Sequence, residues 1–163
     1  MKETLLLTKH MREYPEDSHL IETYEKNNGY RALKKVLKED NPEDVINEIK
    51  NSNIRGRGGA GFPTGVKWGF LAENEDRYLV INGDESEPGT FKDRHVLTTA
   101  PHQFLEGVLI AAAIGGVREV YIYLRAEYPD CYIILQQELE AIKRAGLIGD
   151  VVVHLRRGKI AFE

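Results

Sequence analysis

One cysteine in 163 residues is the first limit on what this chain can do. Cys131 has no partner for an internal disulfide, and a lone thiol supplies neither a Cys-x-x-Cys zinc site nor the ligand set of an iron–sulfur cluster. No apolar run approaches the length of a membrane span, and the three leucines at 5–7 are too few for a signal-peptide core. These absences suit a reducing compartment, and the expected location is cytoplasmic. A basic excess is missing too: the formal net charge is -4, which offers no clustered Lys and Arg face to nucleic acid. His10, His19, His95, His102 and His154 are scattered, none at a recognised metal-ligand spacing, so no metal site is expected. Ser-His-Asp and G-x-S-x-G signatures are absent as well, and no residue is assigned as a catalytic acid, base or nucleophile.

What remains is a folded protein. Hydrophobic residues at 42% and charged residues at 29% are globular values, enough for one domain or a domain with a helical preface. Residues 1–16 show no clear period. Asp17 or Ser18 caps a short predicted helix through Leu20, Ile21 and Tyr24, stopped by Asn27-Asn28-Gly29. Tyr30, Leu33, Val36 and Leu37 form a second helical stripe. Asn41-Pro42-Glu43-Asp44 then supplies a cap, a first-turn proline and two acids for a third helix, with Val45, Ile46 and Ile49 on its apolar face. Residues 1–52 therefore read as a helical N-terminal segment, and 53–163 as the site-bearing domain.

Beyond residue 77 strand and helix alternate. Tyr78–Ile81 is a continuous apolar run suited to a buried strand, with a turn at Asn82-Gly83-Asp84. Pro101–Gly115 is a predicted helix, Val120–Leu124 a strand, Tyr132 to Ile142 a helix ended by Gly146, and Val151 opens a third strand. This order predicts an α/β fold, a helical preface followed by a mainly parallel, helix-flanked sheet with right-handed crossovers. Ligands of such sheets sit at the carboxyl ends of the strands, where residues 82–93 emerge. Residues 158–163 carry neither a helix period nor a stop signal, so the chain is expected to end inside a unit.

Two stretches carry chemistry. Asn53 to Trp68 holds five glycines, two arginines and a lysine. Gly56-Arg57-Gly58-Gly59-Ala60-Gly61 matches G-x-G-x-x-G literally, but it follows a predicted helix rather than a strand and runs into Pro63-Thr64-Gly65, against a dinucleotide fingerprint. A P-loop fails because Val66-Lys67-Trp68 lacks the glycine before the lysine and the hydroxyl after it. A nonstandard glycine cradle remains, with Arg55, Arg57 and Lys67 as phosphate partners and Phe62 and Phe70 suited to stacking on a planar ring. A flexible surface loop and ordinary core packing of the two phenylalanines are the plainer alternatives. The second stretch, Asn82 to Arg94, puts Asp84, Glu85 and Glu87 within four residues. Carboxylates and an amide there suit the hydrogen-bonding edge of a flavin or a carboxamide, or a divalent cation, or simply an acidic turn.

Taken together, Arg55 to Trp68 and Asn82 to Arg94 closely resemble the NADH-binding, FMN-carrying subunit of respiratory complex I and the related diaphorase subunits of NAD-linked formate dehydrogenases and hydrogenases. The likeness runs from about Leu5 to Gly158 and includes Pro101-His102-Gln103 and Tyr121 to Tyr128. It implies that Gly56, Arg57, Gly58 and Lys67 contact FMN, that Asn82, Asp84 and Glu85 lie along the isoalloxazine edge, and that Phe62, Phe70 and Glu87 hold NADH. Gly59, Gly61, Gly65 and Ser86 are further cofactor-binding positions on the same basis. Gly83 stands where the family is expected to have alanine, the loss of only a methyl group.

The resemblance implies hydride transfer from NADH to FMN and onward passage of electrons to iron–sulfur clusters, with no acid or base required. It implies as partners a thioredoxin-like [2Fe–2S] subunit and the other subunits of a complex I, formate dehydrogenase or hydrogenase assembly, with membrane association only through them. The family continues beyond the equivalent of Gly158 into a second Gly-rich motif, a β-grasp domain and a [4Fe–4S] domain; Lys159 to Glu163 stands there instead, and this chain holds no ligands for that cluster. The expectation is a truncated NADH-oxidising flavoprotein carrying part of the FMN and NADH site, weakly active or inactive alone. The alternatives are a noncatalytic remnant or half-site module that binds nucleotide weakly or pairs with a separately encoded C-terminal half, and an acidic metal-binding domain.

Overall fold

A computed structural model describes residues 5, 7–39, 41–71 and 76–159; the expectation about how the chain runs out at 160–163 lies outside the described residues. The preface folds as α1 (Lys9–Glu13), α2 (Ile21–Lys26), α3 (Arg31–Val36) and α4 (Pro42–Ser52). The start of α2 differs from expectation, since Leu20, not Asp17 or Ser18, occupies the N-cap. Ser18 is buried instead, within a turn where the Leu20 N–H bonds the Asp17 carbonyl at 3.0 Å. The stop falls where glycine is required: a Cβ on Gly29 would lie 2.1 Å from the Tyr24 ring. In α4 the Asn41 side chain accepts the Glu43 N–H at 3.2 Å and Pro42 occupies the first turn, as the sequence predicts.

Next come α5 (Thr64–Trp68), β1 (Tyr78–Gly83), α6 (Lys92–Thr99), α7 (Pro101–Gly115), β2 (Glu119–Leu124), α8 (Pro129–Arg144) and β3 (Val152–Arg157). The strands form a parallel sheet in the order β1-β2-β3. Both connections step the same way across the sheet, and right-handed crossovers then place α7 and α8 on one face. α7 and α8 accordingly pack against each other, α7 against β1 and α8 against β3. Leu79, Ile81, Val120, Ile122, Leu124, Val153 and Leu155 point into this layer, and Val120, Ile122 and Leu124 are wholly buried. Each such side chain contributes about 1.5–3 kcal/mol on leaving water.

α7 is buried on several sides because α2, α3 and α4 pack on it from outside while the sheet lies beneath. A polar network binds the preface to it. Glu106 on α7 accepts the Tyr24 hydroxyl at 2.5 Å and the N–H groups of Tyr30 and Leu33, each at 3.0 Å. His102, fully buried one turn earlier, joins the Tyr30 hydroxyl (2.6 Å) to Glu138 of α8 (2.7 Å). Tyr30 has φ 59°, a left-handed conformation uncommon for an aromatic residue and fixed here by contacts on both its backbone and its ring. Burial, reinforced by the neighbouring carboxylates, raises the pKa of both phenols and keeps Tyr24 and Tyr30 protonated.

Candidate functional site

The glycine stretch is a loop pinned at its base. Arg55 and Pro63 form an antiparallel bridge, the Gly56 N–H donates to the Phe62 carbonyl at 2.9 Å, and the Thr64 N–H donates to Ile54 at 2.9 Å. Arg55 donates across the loop to the Gly61 carbonyl at 3.3 Å, which holds its shape. Gly59 (φ 111°) and Gly61 (φ 62°) need the conformational freedom that only glycine gives cheaply. A Cβ built on Gly58, Gly59 or Gly61 would meet nothing within 4 Å, so the main chain is bare toward open space.

The acidic loop leaves the carboxyl end of β1. Asn82 accepts the Asp84 N–H through its side-chain carbonyl at 2.9 Å, and the Ser86 hydroxyl bonds Asp84 at 3.0 Å. Glu85 is its anchor. One carboxylate oxygen accepts the Asp93 N–H (2.9 Å), the other the Arg94 N–H and the Tyr128 hydroxyl (both 3.1 Å), and Lys92 stands 3.7 Å away. Burial by itself raises its pKa, but these donors prevail and hold Glu85 below the ordinary carboxylate value. Arg125 donates to the Glu85 carbonyl, and both Arg94 and Arg125 lie over the Tyr128 ring, at 5.5 and 5.9 Å. At Gly83 the strands run so close that a Cβ would fall 2.8 Å from the Tyr123 carbonyl oxygen.

A cleft of about 690 Å³ separates the two loops, with Arg57, Gly58 and Gly59 on one wall and Asn82, Asp84, Glu85, Ser86 and Glu87 on the other. Thr90, Lys92 and Asp93 complete its lining. They were missed as individual residues although they belong to the 82–94 stretch. A second recess of about 330 Å³ takes in Gly56, Gly61, Phe62 and Lys67, shares Gly58 with the first, and adds Trp68. The Phe62 and Phe70 rings lie 6.1 Å apart and both are exposed, but Phe70 lines neither space. Gly65 is elsewhere: a Cβ there would sit 2.6 Å from the Lys50 backbone nitrogen, so it serves the crossing of α5 over α4. Arg57 and Lys67 make no ion pair among the described residues, which leaves two cations flanking a bare backbone.

Among the described residues no group of three His, Cys, Asp or Glu side chains is arranged to hold a metal ion, and no helix is long and apolar enough to cross a membrane. The cleft lies at the carboxyl end of a parallel strand, the place where ligands of such sheets sit.

The model of the Nuo51 FMN-binding domain family matches residues 49–162. The chain belongs to that family. The F 2 subunit of NADH-quinone oxidoreductase from Rhizobium meliloti (strain 1021) is 42% identical over 156 residues, 90% of this chain and 37% of the relative. The corresponding F subunit from Aquifex aeolicus (strain VF5) is 44% identical over 153 residues, 88% of this chain and 36% of the relative. The chain therefore spans about 37% of the length of the curated relatives it matches. Among solved structures, an NAD+-reducing [NiFe]-hydrogenase in the H2-reduced state superposes with a TM-score of 0.69 at 37% identity, over 78% of this chain and 22% of that one. The Nuo51-type domain is thus the α/β unit described above, and both loops of the cleft fall within the matched residues.

Proposed function

We propose that this chain supplies part of an FMN and NADH site in an NADH-oxidising flavoprotein. The observation that carries the reading is the apposition, across one cleft at the end of β1, of a glycine loop with bare backbone and a polar loop organised by Glu85. A flavin nucleotide suits these residues. The open positions at Gly58, Gly59 and Gly61 leave room against the main chain, Arg57 and Lys67 offer positive charge to a phosphate, and Asn82, Asp84, Ser86 and Glu87 supply a polar edge. Phe62 and Phe70 give apolar ring surface beside the loop for the nicotinamide nucleotide.

The chemistry such a flavin supplies when bound is acceptance of a hydride from NADH and onward release of the electrons. This chain's residues bind and orient; none needs to move a proton. In this reading residues 53–163 carry the site, and residues 1–52 buttress it through α7. The single cysteine among these 163 residues ligates no iron–sulfur cluster, and in this reading the electrons pass to clusters outside these residues, that of a thioredoxin-like [2Fe–2S] subunit among them, in an assembly on the cytoplasmic side that reaches a membrane only through other subunits.

The test is titration of the whole chain into FMN with flavin fluorescence as readout, followed by NADH and ferricyanide. Quenching of the flavin and NADH-dependent ferricyanide reduction are expected, the latter weak. If the chain neither quenches the flavin nor reduces ferricyanide at excess of both nucleotides, the reading fails.

A further inference from the structure

The segment that leaves β2 grips the acidic loop of the cleft through one residue. Arg125, the first residue past β2, donates through Nη1 to the Glu85 carbonyl, and Tyr128 donates its hydroxyl to the Glu85 carboxylate at 3.1 Å. Neither Arg125 nor Tyr128 lines the cleft. The guanidinium is itself fixed: Nε lies 3.1 Å from one Glu127 oxygen, Nη2 lies 3.3 Å from the other, and the central carbon is 5.9 Å from the centre of the Tyr128 ring. The Arg125 N–H prolongs the β1–β2 pairing by donating to the Gly83 carbonyl at 3.3 Å, which anchors the residue at its main chain too. Only 23% of the side chain is exposed, so little water competes for the contact with Glu85.

The effect on the cleft follows from the peptide unit. The bond between Glu85 and Ser86 is planar and trans, so a carbonyl turned to Arg125 turns the Ser86 N–H the opposite way. Ser86 lines the cleft and Arg125 does not, and the opposite way is therefore cleftward. That N–H meets no acceptor among the described residues. It is also the kind of group this side of the cleft is short of. The Asp84 and Glu87 carboxylates are acceptors only, the Ser86 hydroxyl is spent on Asp84, and Lys92 is turned to Asp93 and Glu85, which leaves the Asn82 amide as the other neutral donor. A flavin carries carbonyl oxygens beside a ring N–H along its pyrimidine edge, so it calls for donors as well as acceptors from the same loop.

We propose that Arg125 is a positioning residue of the FMN site: by holding the Glu85 carbonyl it aims the Ser86 N–H at a carbonyl oxygen of the bound flavin. The inference rests on the FMN reading above and extends it to a residue outside the cleft. Arginine suits the task because its planar fork serves Glu127 and Glu85 together, whereas lysine offers a single point donor.

The unaltered chain, Arg125→Gln and Arg125→Lys are each titrated into FMN with flavin fluorescence as readout, and deuterium exchange of the Ser86 amide is followed by NMR with and without saturating FMN. FMN affinity is expected to fall at least roughly tenfold in Arg125→Gln and to recover in part in Arg125→Lys, which keeps a donor for the carbonyl. Exchange at Ser86 is expected to slow at least roughly tenfold when FMN binds the unaltered chain, and to stay fast in FMN-saturated Arg125→Gln. Equal affinity of the unaltered chain and Arg125→Gln overturns the proposal. So does Ser86 exchange that bound FMN leaves unchanged in the unaltered chain, a measurement that decides the matter even where Arg125→Gln does not fold. Failure of the unaltered chain to bind FMN overturns the FMN reading and this inference together, whereas FMN binding without protection of Ser86 overturns this inference alone.

Discussion

The carboxylate of Glu106 on α7 accepts the backbone N–H of Tyr30 at 3.0 Å across 76 residues of sequence. It accepts the Leu33 N–H and the Tyr24 hydroxyl as well, so one side chain fixes both the end of α2 and the start of α3. Replacing Glu106 with Ala would leave those donors buried without an acceptor. The expected loss is about 2–4 kcal/mol, read by urea denaturation, with early exposure of the preface to limited proteolysis.

Glu85 gives a pH signature with a definite sign. Its pKa is lowered in the folded protein, so its stabilising effect is complete above the unfolded carboxylate value of about 4.3 and disappears as pH falls through the lowered value. The stability gap between the unaltered chain and Glu85→Gln should be largest at neutral pH and shrink on acidification. Denaturation midpoints from pH 7 downward check this; a gap that grows toward acid would contradict the hydrogen-bond pattern at α6.

Gly58→Val tests the cleft without disturbing the fold. Nothing lies within 4 Å of a Cβ at this position, so the melting temperature should hold while the added side chain enters the room assigned to the flavin. FMN affinity is expected to fall at least roughly tenfold, measured by fluorescence titration.

Gly65→Ala should behave in the opposite way. The new Cβ would meet the Lys50 backbone at 2.6 Å, forcing α5 away from α4 at a cost of about 1–3 kcal/mol. Any change in flavin affinity should follow the stability loss and vanish at temperatures where both proteins are fully folded.

Cys131 is wholly buried, and burial raises its pKa, which keeps the thiol protonated. As the single cysteine it reports on opening of the core around α8. Reaction with a disulfide reagent should be negligible in the native chain and complete in urea; fast labelling of the native protein would show that α8 leaves the sheet readily.

Long periodic elements were legible in the sequence. α4 announces itself through the Asn41 cap and Pro42, α7 through Pro101 and its terminal glycines, and α8 through its apolar stripe and Gly146, although α8 starts at Pro129, three residues before Tyr132; each strand shows as a run of branched and aromatic residues. α6 was not, because Lys92–Thr99 has little apolar periodicity and begins where two N–H groups find the Glu85 carboxylate, a contact no local pattern shows. α1 and α5 are five-residue helices held by tertiary packing, below the length at which periodicity speaks.

The two stretches singled out in the sequence line one cleft in the fold, but sequence could not sort their members. Gly58 and Gly65 look alike in a glycine-rich string; one faces open room and the other a backbone nitrogen. Glu85 and Glu87 are likewise equivalent on paper, yet the first spends its carboxylate on α6 and Tyr128. Tyr78–Ile81 reads as a buried strand, yet Tyr78 and Val80 are exposed, because among the described residues α7 and α8 cover only the opposite face of the sheet.

The order β1-β2-β3 also sets a schedule for synthesis. Every strand pairs with the strand made just before it, so the sheet can be extended in step with emergence from the ribosome. The preface cannot follow that rhythm, since Tyr30 must wait 76 residues for Glu106. At translation rates of about 5–20 residues per second this is a delay of roughly 4–15 s, during which the oldest part of the nascent chain is the least finished.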